Sequence, residues 1–386
     1  MLSDLPLLAR RAAQAGALYL LWRQRRGALG TLLYLLLVAL PTSAAQKLVG
    51  SKAVPTQLDV WTAAVIRVIR WSSQGSVQQV ASGLTKVSLA EAVVARRMGA
   101  IIKRVKTPDG NVEGCWIAGR LDHIPTFDPP KECVVLLYIH GGGYCANNCE
   151  SLAPHHFELI RTFNALVEGT KHLVIFSLEY PLAPKHKFPA AVDAAQDAYL
   201  WLVQSVGVKT LLVGGDSAGG HCAIHLMNRI GGRLALPQLA VLPVKPLASL
   251  LFSPYVDADA VNIAKDRLHF DSIHLDVTHT FSRHAFGGVP ENIHNLMVLP
   301  AKDFHFAPKG TLVIYGNAEY LSGPIEVFLG RLSKGRGVPG LEVHKYEGMP
   351  HDFNVMFILP AYPATRPHAL NAVQKTAVFI QKAVDS

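Results

Sequence analysis

Thr210-Leu211-Leu212-Val213-Gly214-Gly215-Asp216-Ser217-Ala218-Gly219 is the stretch on which the fold turns. Its apolar start, Thr210–Val213, predicts a buried strand, and the segment after it, Gly220–Arg229, has helical spacing. Between them Gly215-Asp216-Ser217-Ala218-Gly219 fits G-x-S-x-G. A serine thrown out of a tight strand-to-helix turn leaves no room for side chains two positions either side, which accounts for the two glycines. The helix that follows aims its first N–H groups at the same point, where negative charge on a ligand would be stabilised.

The same strand–helix rhythm extends outward in both directions. Val134–Ile139, Leu173–Ser177, Leu247–Ser253, Leu312–Tyr315 and Leu341–Tyr346 are short, near-continuous apolar runs rich in β-branched residues. Such runs suit strands covered on both faces, hence a mostly parallel sheet with crossover helices, an α/β architecture. Helices are predicted over Pro189–Ser205, Pro324–Lys334 and Pro367–Val384. Upstream, from Thr56 to about Arg104, the apolar spacing is helical, with Ser88 and Glu91 spaced as a capping box. The connection from Asp257 to Lys309 is too long for a structureless loop in a compact domain and is expected to add helices to a lid. The organisation expected is an apolar segment at 1–45, a helical cap at 46–105 and a catalytic domain at 106–386, with its lid insertion at about 257–309.

Three further segments carry chemistry. His140-Gly141-Gly142-Gly143-Tyr144 closes the strand Val134–Ile139, and its glycines let backbone N–H groups approach a ligand, as an oxyanion hole requires. A phosphate loop is the rival reading, but no G-x-x-x-x-G-K-[ST] is present. Gly348-Met349-Pro350-His351-Asp352-Phe353 follows the last strand and places His351 where a general base belongs. After Leu312–Tyr315 the chain reads Gly316-Asn317-Ala318-Glu319, and Glu319 is the carboxylate at that strand end. Its role would be to accept the imidazole N–H, fix the tautomer and stabilise the imidazolium. Glu326, Asp303 and Asp352 are the other carboxylates within reach in sequence. The predicted catalytic set is therefore Ser217, Glu319 and His351.

These segments together resemble the hormone-sensitive-lipase-like, or HGGG, family of α/β-hydrolases. The resemblance rests on His140–Tyr144, Gly215–Gly219, Gly348–Phe353 and Glu179-Tyr180-Pro181-Leu182-Ala183-Pro184, with Phe188-Pro189-Ala190-Ala191 and Trp201 beyond, and covers about 130–385. It implies the α/β-hydrolase fold, a lid built from the N-terminal region and an insertion, and no metal or organic cofactor. It also implies that Gly142, Gly143 and Ala218 supply the oxyanion N–H groups. The family usually has Asp where Glu319 stands, and its D-x-L-x-D-E pattern here reads Glu319-Tyr320-Leu321-Ser322-Gly323-Pro324. The apolar start is similar to that of fungal steryl-acetyl-hydrolase-like members.

Composition fits a folded, rather apolar globular protein: of 386 residues half are hydrophobic and 17% charged, which excludes a disordered chain. The net charge of +9 comes from scattered Lys and Arg, with no nucleic-acid-binding signature, so nucleic acid is not an expected partner. Five cysteines lack metal spacing and are expected as reduced, mostly buried thiols; His155-His156 is expected at the surface or as helix-cap material. Arg23, Arg25 and Arg26 precede an uncharged run from Gly27 to Ala45. That run can be a membrane anchor, for example in the endoplasmic reticulum, a cleaved signal, or a lid helix of a cytoplasmic protein. The function expected is hydrolysis of an apolar small-molecule ester through an acyl-enzyme. A transacylase or lactonase, and a non-catalytic receptor on the same fold, are the alternatives.

Overall fold

Val134, Leu136 and Tyr138 pack on one side of the sheet and Val135, Leu137 and Ile139 on the other, all six buried. This two-residue alternation in a run with no polar member is what a central strand covered on both faces requires. The computed structural model describes residues 60–386 apart from 73–76, 232–235, 241, 258–270, 274, 300–303, 335–337, 357, 359–361 and 363, together with Thr42 and Ala44. Eight strands form one sheet: β1 Ile101–Lys106, β2 Glu113–Ala118, β3 Cys133–Ile139, β4 His172–Leu178, β5 Thr210–Asp216, β6 Ser249–Phe252, β7 Thr311–Gly316 and β8 Leu341–Tyr346, in the order β1-β2-β4-β3-β5-β6-β7-β8. From β4 to β8 every pairing is parallel, while β2 runs antiparallel to both β1 and β4.

The longer helices among the described residues are α1 Val60–Ser72, α2 Val77–Met98, α3 Ala153–Leu166, α4 Ala190–Leu200, α5 Ser217–Gly231, α6 Leu275–Phe286, α7 Ser322–Lys334 and α8 Arg366–Asp385. Buried side chains of α4, α5 and α7 join one core, and those of α3 and α8 join the other. The six predicted strands are all present. The helical reading of 56–104 ran too far: α2 stops at Met98, and β1 begins at Ile101. Gly99, at a φ of 109°, takes the left-handed conformation that ends the helix, and the Ala100 N–H closes on the Ala95 carbonyl at 2.9 Å. The expected boundary at 105 therefore falls inside β1. Ser88 does not cap a helix either; it sits within α2, its hydroxyl 3.0 Å from the Leu84 carbonyl and 2.7 Å from the Ser151 hydroxyl.

Two further expectations are corrected. Cys115 on β2 and Cys149 form a disulfide, with Cα atoms 5.6 Å apart, so the cysteines are not all reduced; Cys133, Cys145 and Cys222 are free and buried. His155 and His156 are buried at the start of α3, not exposed, with His156 edge-on to Tyr138 and His155 edge-on to Phe252. Burial pulls His155 down to about 3 and holds His156 well below its ordinary value, so both are neutral packing groups. The apolar segment 1–45 lies outside the described residues except for Thr42 and Ala44. Among the described residues no helix is long and apolar enough to cross a membrane. Part of the expected lid, 258–270, also lies outside them, while α6 and a short helical turn at Glu291–His294 lie within the expected insertion.

Candidate active site

Ser217 stands at the junction of β5 and α5 with a φ of 48°, a backbone conformation that costs a non-glycine residue about 1–3 kcal/mol. The neighbouring strand explains the flanking glycines. A Cβ on Gly219 would run into the Ile139 backbone carbonyl, and one on Gly215 into Ile139 and Gly219 themselves. No side-chain rotation can relieve a clash with backbone, so the turn exists only with glycine at both places. The serine is nearly buried and borders a cavity of about 150 Å³. Its first helical turn also carries N–H groups that have no carbonyl four residues back inside the helix, Ala218 among them.

Gly142 and Gly143, with φ of 102° and 59°, turn the chain just past β3 and border the same cavity. Neither N–H donates a hydrogen bond among the described residues. The turn is held from three sides. Asp216 Oδ1 accepts the Gly141 N–H at 3.0 Å and the Tyr138 hydroxyl at 2.8 Å, and the Tyr180 hydroxyl donates to the His140 carbonyl at 2.8 Å. Burial pulls His140 down to about 4, leaving a neutral ring stacked on Tyr180 whose Nδ1–H donates to the Gly141 carbonyl at 2.8 Å. Asp216, adjacent to the serine, is thus the tie between the elbow and the glycine turn. Burial first, and then the Asp352 charge, pushes its carboxyl up to about 8. Sequence reading passed over Asp216 and Tyr180, although both lie inside quoted motifs.

His351 Nδ1 lies 2.9 Å from Glu319 Oε2, both side chains almost wholly inaccessible. A carboxylate only accepts, so in the neutral ring the proton sits on Nδ1 and Nε2 presents a lone pair. Nε2 lies 3.0 Å from Asp352 Oδ2 without an aligned hydrogen bond, and it makes none to Ser217. Both His351 and Ser217 border the cavity, so the imidazole and the hydroxyl face one space with no hydrogen bond between them. Catalytic hydrogen bonds commonly tighten only when substrate arrives. Glu326 instead pairs with Lys345 at 2.8 Å, and Asp303 lies outside the described residues.

Charge around the imidazole is one-sided. Burial opposes the imidazolium, but Asp352 and Glu319 outweigh it and hold His351 well above its ordinary value. Burial likewise pushes Glu319 up to about 7, against the pull of His351. Asp216 and Asp271 complete the ring of carboxylates near the site. A general base works only when neutral, so activity should vanish as pH falls through this raised value, and the acid limb should lie above the ordinary histidine range. Asp352→Asn removes one of the carboxylates that stabilise the cation. Its expected effect is to move the acid limb of kcat/KM to lower pH; a pH–rate profile of the two proteins measures it, and an unmoved limb removes Asp352 from this role.

The rest of the cavity is mostly apolar, with Ser88, Glu91, Asn147, Ser151, Thr278 and Ser282 as polar members of its lining. Val80 and Leu84 of α2, Val277 and Phe281 of α6, Ile273 and Leu321 form much of its wall. The N-terminal helix and the insertion therefore line one space above the serine. Residues 136–355 match the α/β hydrolase fold family, more than half of the sequence. The chain belongs to the α/β-hydrolases. Among curated relatives it is 28% identical over 256 residues to the carboxylesterase/phospholipase LipF of Mycobacterium tuberculosis, spanning 64% of this chain and 62% of that one. It is 33% identical over 137 residues to an ethyl acetate hydrolase of Pseudomonas putida, spanning 34% of this chain and 41% of the relative. The matched segment is thus less than two thirds of either relative. A crystal structure of a hormone-sensitive lipase from a metagenome library superposes with a TM-score of 0.63 at 18% identity, covering 84% of this α/β-hydrolase and 98% of that chain.

Proposed function

We propose that the protein is a serine carboxylic-ester hydrolase of the hormone-sensitive-lipase-like kind, acting through an acyl-enzyme on an apolar small-molecule ester. The observation that carries this reading is the 2.9 Å contact of His351 with Glu319, which shares one mostly apolar cavity with a serine on a strained turn. The relatives named as carboxylesterase and ethyl acetate hydrolase support the same reaction class. Nε2 exchanges its Asp352 neighbour for the Ser217 hydroxyl and takes its proton as the oxygen attacks the ester carbonyl. The oxyanion that forms accepts N–H bonds from Gly142, Gly143 and Ala218. His351 then gives the proton to the leaving alcohol, and water releases the acid by the same roles reversed.

The cavity walls favour an uncharged acyl or alcohol group, since burying a charge there without a partner is costly. An active-site phosphonate ester tests the assignment directly. Intact protein should gain one phosphonyl adduct, and peptide mapping should place it on Ser217. An unlabelled protein, or an adduct on any other residue, ends this reading.

A further inference from the structure

Asp271, which lies between the expected lid segment 258–270 and α6, is wholly buried, and both its oxygens are taken up at the catalytic loops. Oδ1 accepts the backbone N–H of His351 at 2.9 Å and that of Ser272 at 2.7 Å. Oδ2 accepts the N–H of Tyr320, the residue after Glu319, at 3.0 Å. The Ser272 hydroxyl completes the grip by donating to the His351 carbonyl at 3.2 Å. The base residue is thus held at both of its peptide groups by two adjacent residues of the insertion. One carboxylate spans from the base residue to the backbone beside the acid.

Other bonds join the two loops, but they act further from the reacting groups. Ala318 N–H donates to the Met349 carbonyl at 3.0 Å, and Gly348 N–H to Asn317 Oδ1 at 2.7 Å. Those fix the loops as segments, whereas Asp271 reaches His351 itself. The insertion also holds Tyr320 by its far end, through Thr278 of α6 and the tyrosine hydroxyl. The neighbours of Thr278, Val277 and Phe281, line the cavity. A buried carboxylate is costly to desolvate, and three N–H donors are the compensation that keeps it there. A loop anchor alone could be built from neutral groups at less cost.

We infer that Asp271 is a positioning residue that sets the His351–Glu319 separation and ties it to the insertion that walls the substrate cavity. This rests on the proposed serine–histidine–glutamate chemistry, so its test needs a readout that does not require turnover. In Asp271→Asn the amide oxygen still accepts from one loop, while the amide nitrogen meets the other loop's N–H and cannot accept it. A misplacement of about 1 Å lowers catalysis by about 100-fold. The expected result is a kcat lowered by about 10–100-fold with KM within about threefold, after correction for titrated active sites.

The second readout is the low-field proton resonance of the His351 Nδ1–H in the full-length protein, assigned by its loss in His351→Gln. It should shift or broaden in Asp271→Asn, as a changed Nδ1–Oε2 distance demands. An unmoved resonance, or a kcat within about twofold of the parent, overturns the inference. Should Asp271→Asn fail to fold, Ser272→Ala removes only the grip on the His351 carbonyl and is judged by the same two readouts, with kcat expected to fall about 3–10-fold. A parent protein that hydrolyses no ester defeats the proposed function alone, since the resonance still reports whether Asp271 governs the pair.

Discussion

Ser217→Ala should lower kcat for an ester substrate by about 10⁴–10⁶-fold and leave the fold intact. The size follows from what the hydroxyl supplies. Without it no acyl-enzyme forms, and only direct attack by water remains, helped by the N–H cradle and by whatever binding the cavity gives. The fold should survive because alanine keeps the Cβ that the turn already accommodates at a φ of 48°, and Tyr255 N–H bonds the Ser217 carbonyl, not its side chain, at 2.9 Å. Thermal unfolding should therefore shift by little while turnover disappears. Steady-state hydrolysis, together with KM or the Kd for a non-hydrolysable analogue, checks both halves. Retained turnover would mean that another nucleophile acts.

Glu319→Gln is expected to cost about 10³–10⁴ in kcat, for a reason that is geometric as much as electrostatic. Glutamine presents an amide N–H₂ or a carbonyl to Nδ1. When the N–H₂ faces the ring, the proton moves to Nε2, and the base then offers Ser217 a proton where it needs a lone pair. The substitution also removes one of the two carboxylates that raise His351, so the remaining activity should have its acid limb at lower pH. Glutamic acid is one methylene longer than the aspartate usual in the family. Here Ser322 N–H and hydroxyl both donate to the Glu319 carbonyl, at 3.2 and 2.8 Å, and fix the residue at the start of α7. Loss of less than about tenfold in kcat would place the acid elsewhere.

Much of this site was written in local patterns. Strand β5, the glycine spacing around Ser217, the triple glycine after β3 and the position of His351 past β8 each follow from constraints spanning a few residues. Glu319 could be picked out because a strand end offers few carboxylates. What escaped notice depends on distant partners. Asp271 bonds residues 49 and 80 positions away, and nothing in its own neighbourhood distinguishes it from a surface aspartate. Cys115 and Cys149 are separated by 34 residues and meet only because β2 is folded onto β4. Strand β1 was hidden for a different reason. Its Lys103, Arg104 and Lys106 give it the polarity of a helix surface, whereas in the sheet they mark an edge strand whose charges discourage pairing with another chain. His155 and His156 look like polar surface until α3 is laid on Tyr138 and Phe252.

The ring of Phe281 presses against Gly143 so closely that a methyl group there would overlap it. A hydrocarbon side chain from the insertion therefore forms the roof of the turn that would hold a developing negative oxygen. Keeping water off that oxygen lowers the local dielectric, and each amide dipole aimed at it then pulls harder. The wall that sorts ligands by shape also governs how strongly the transition state is felt, so selectivity and speed would be expected to change together whenever that ring is altered.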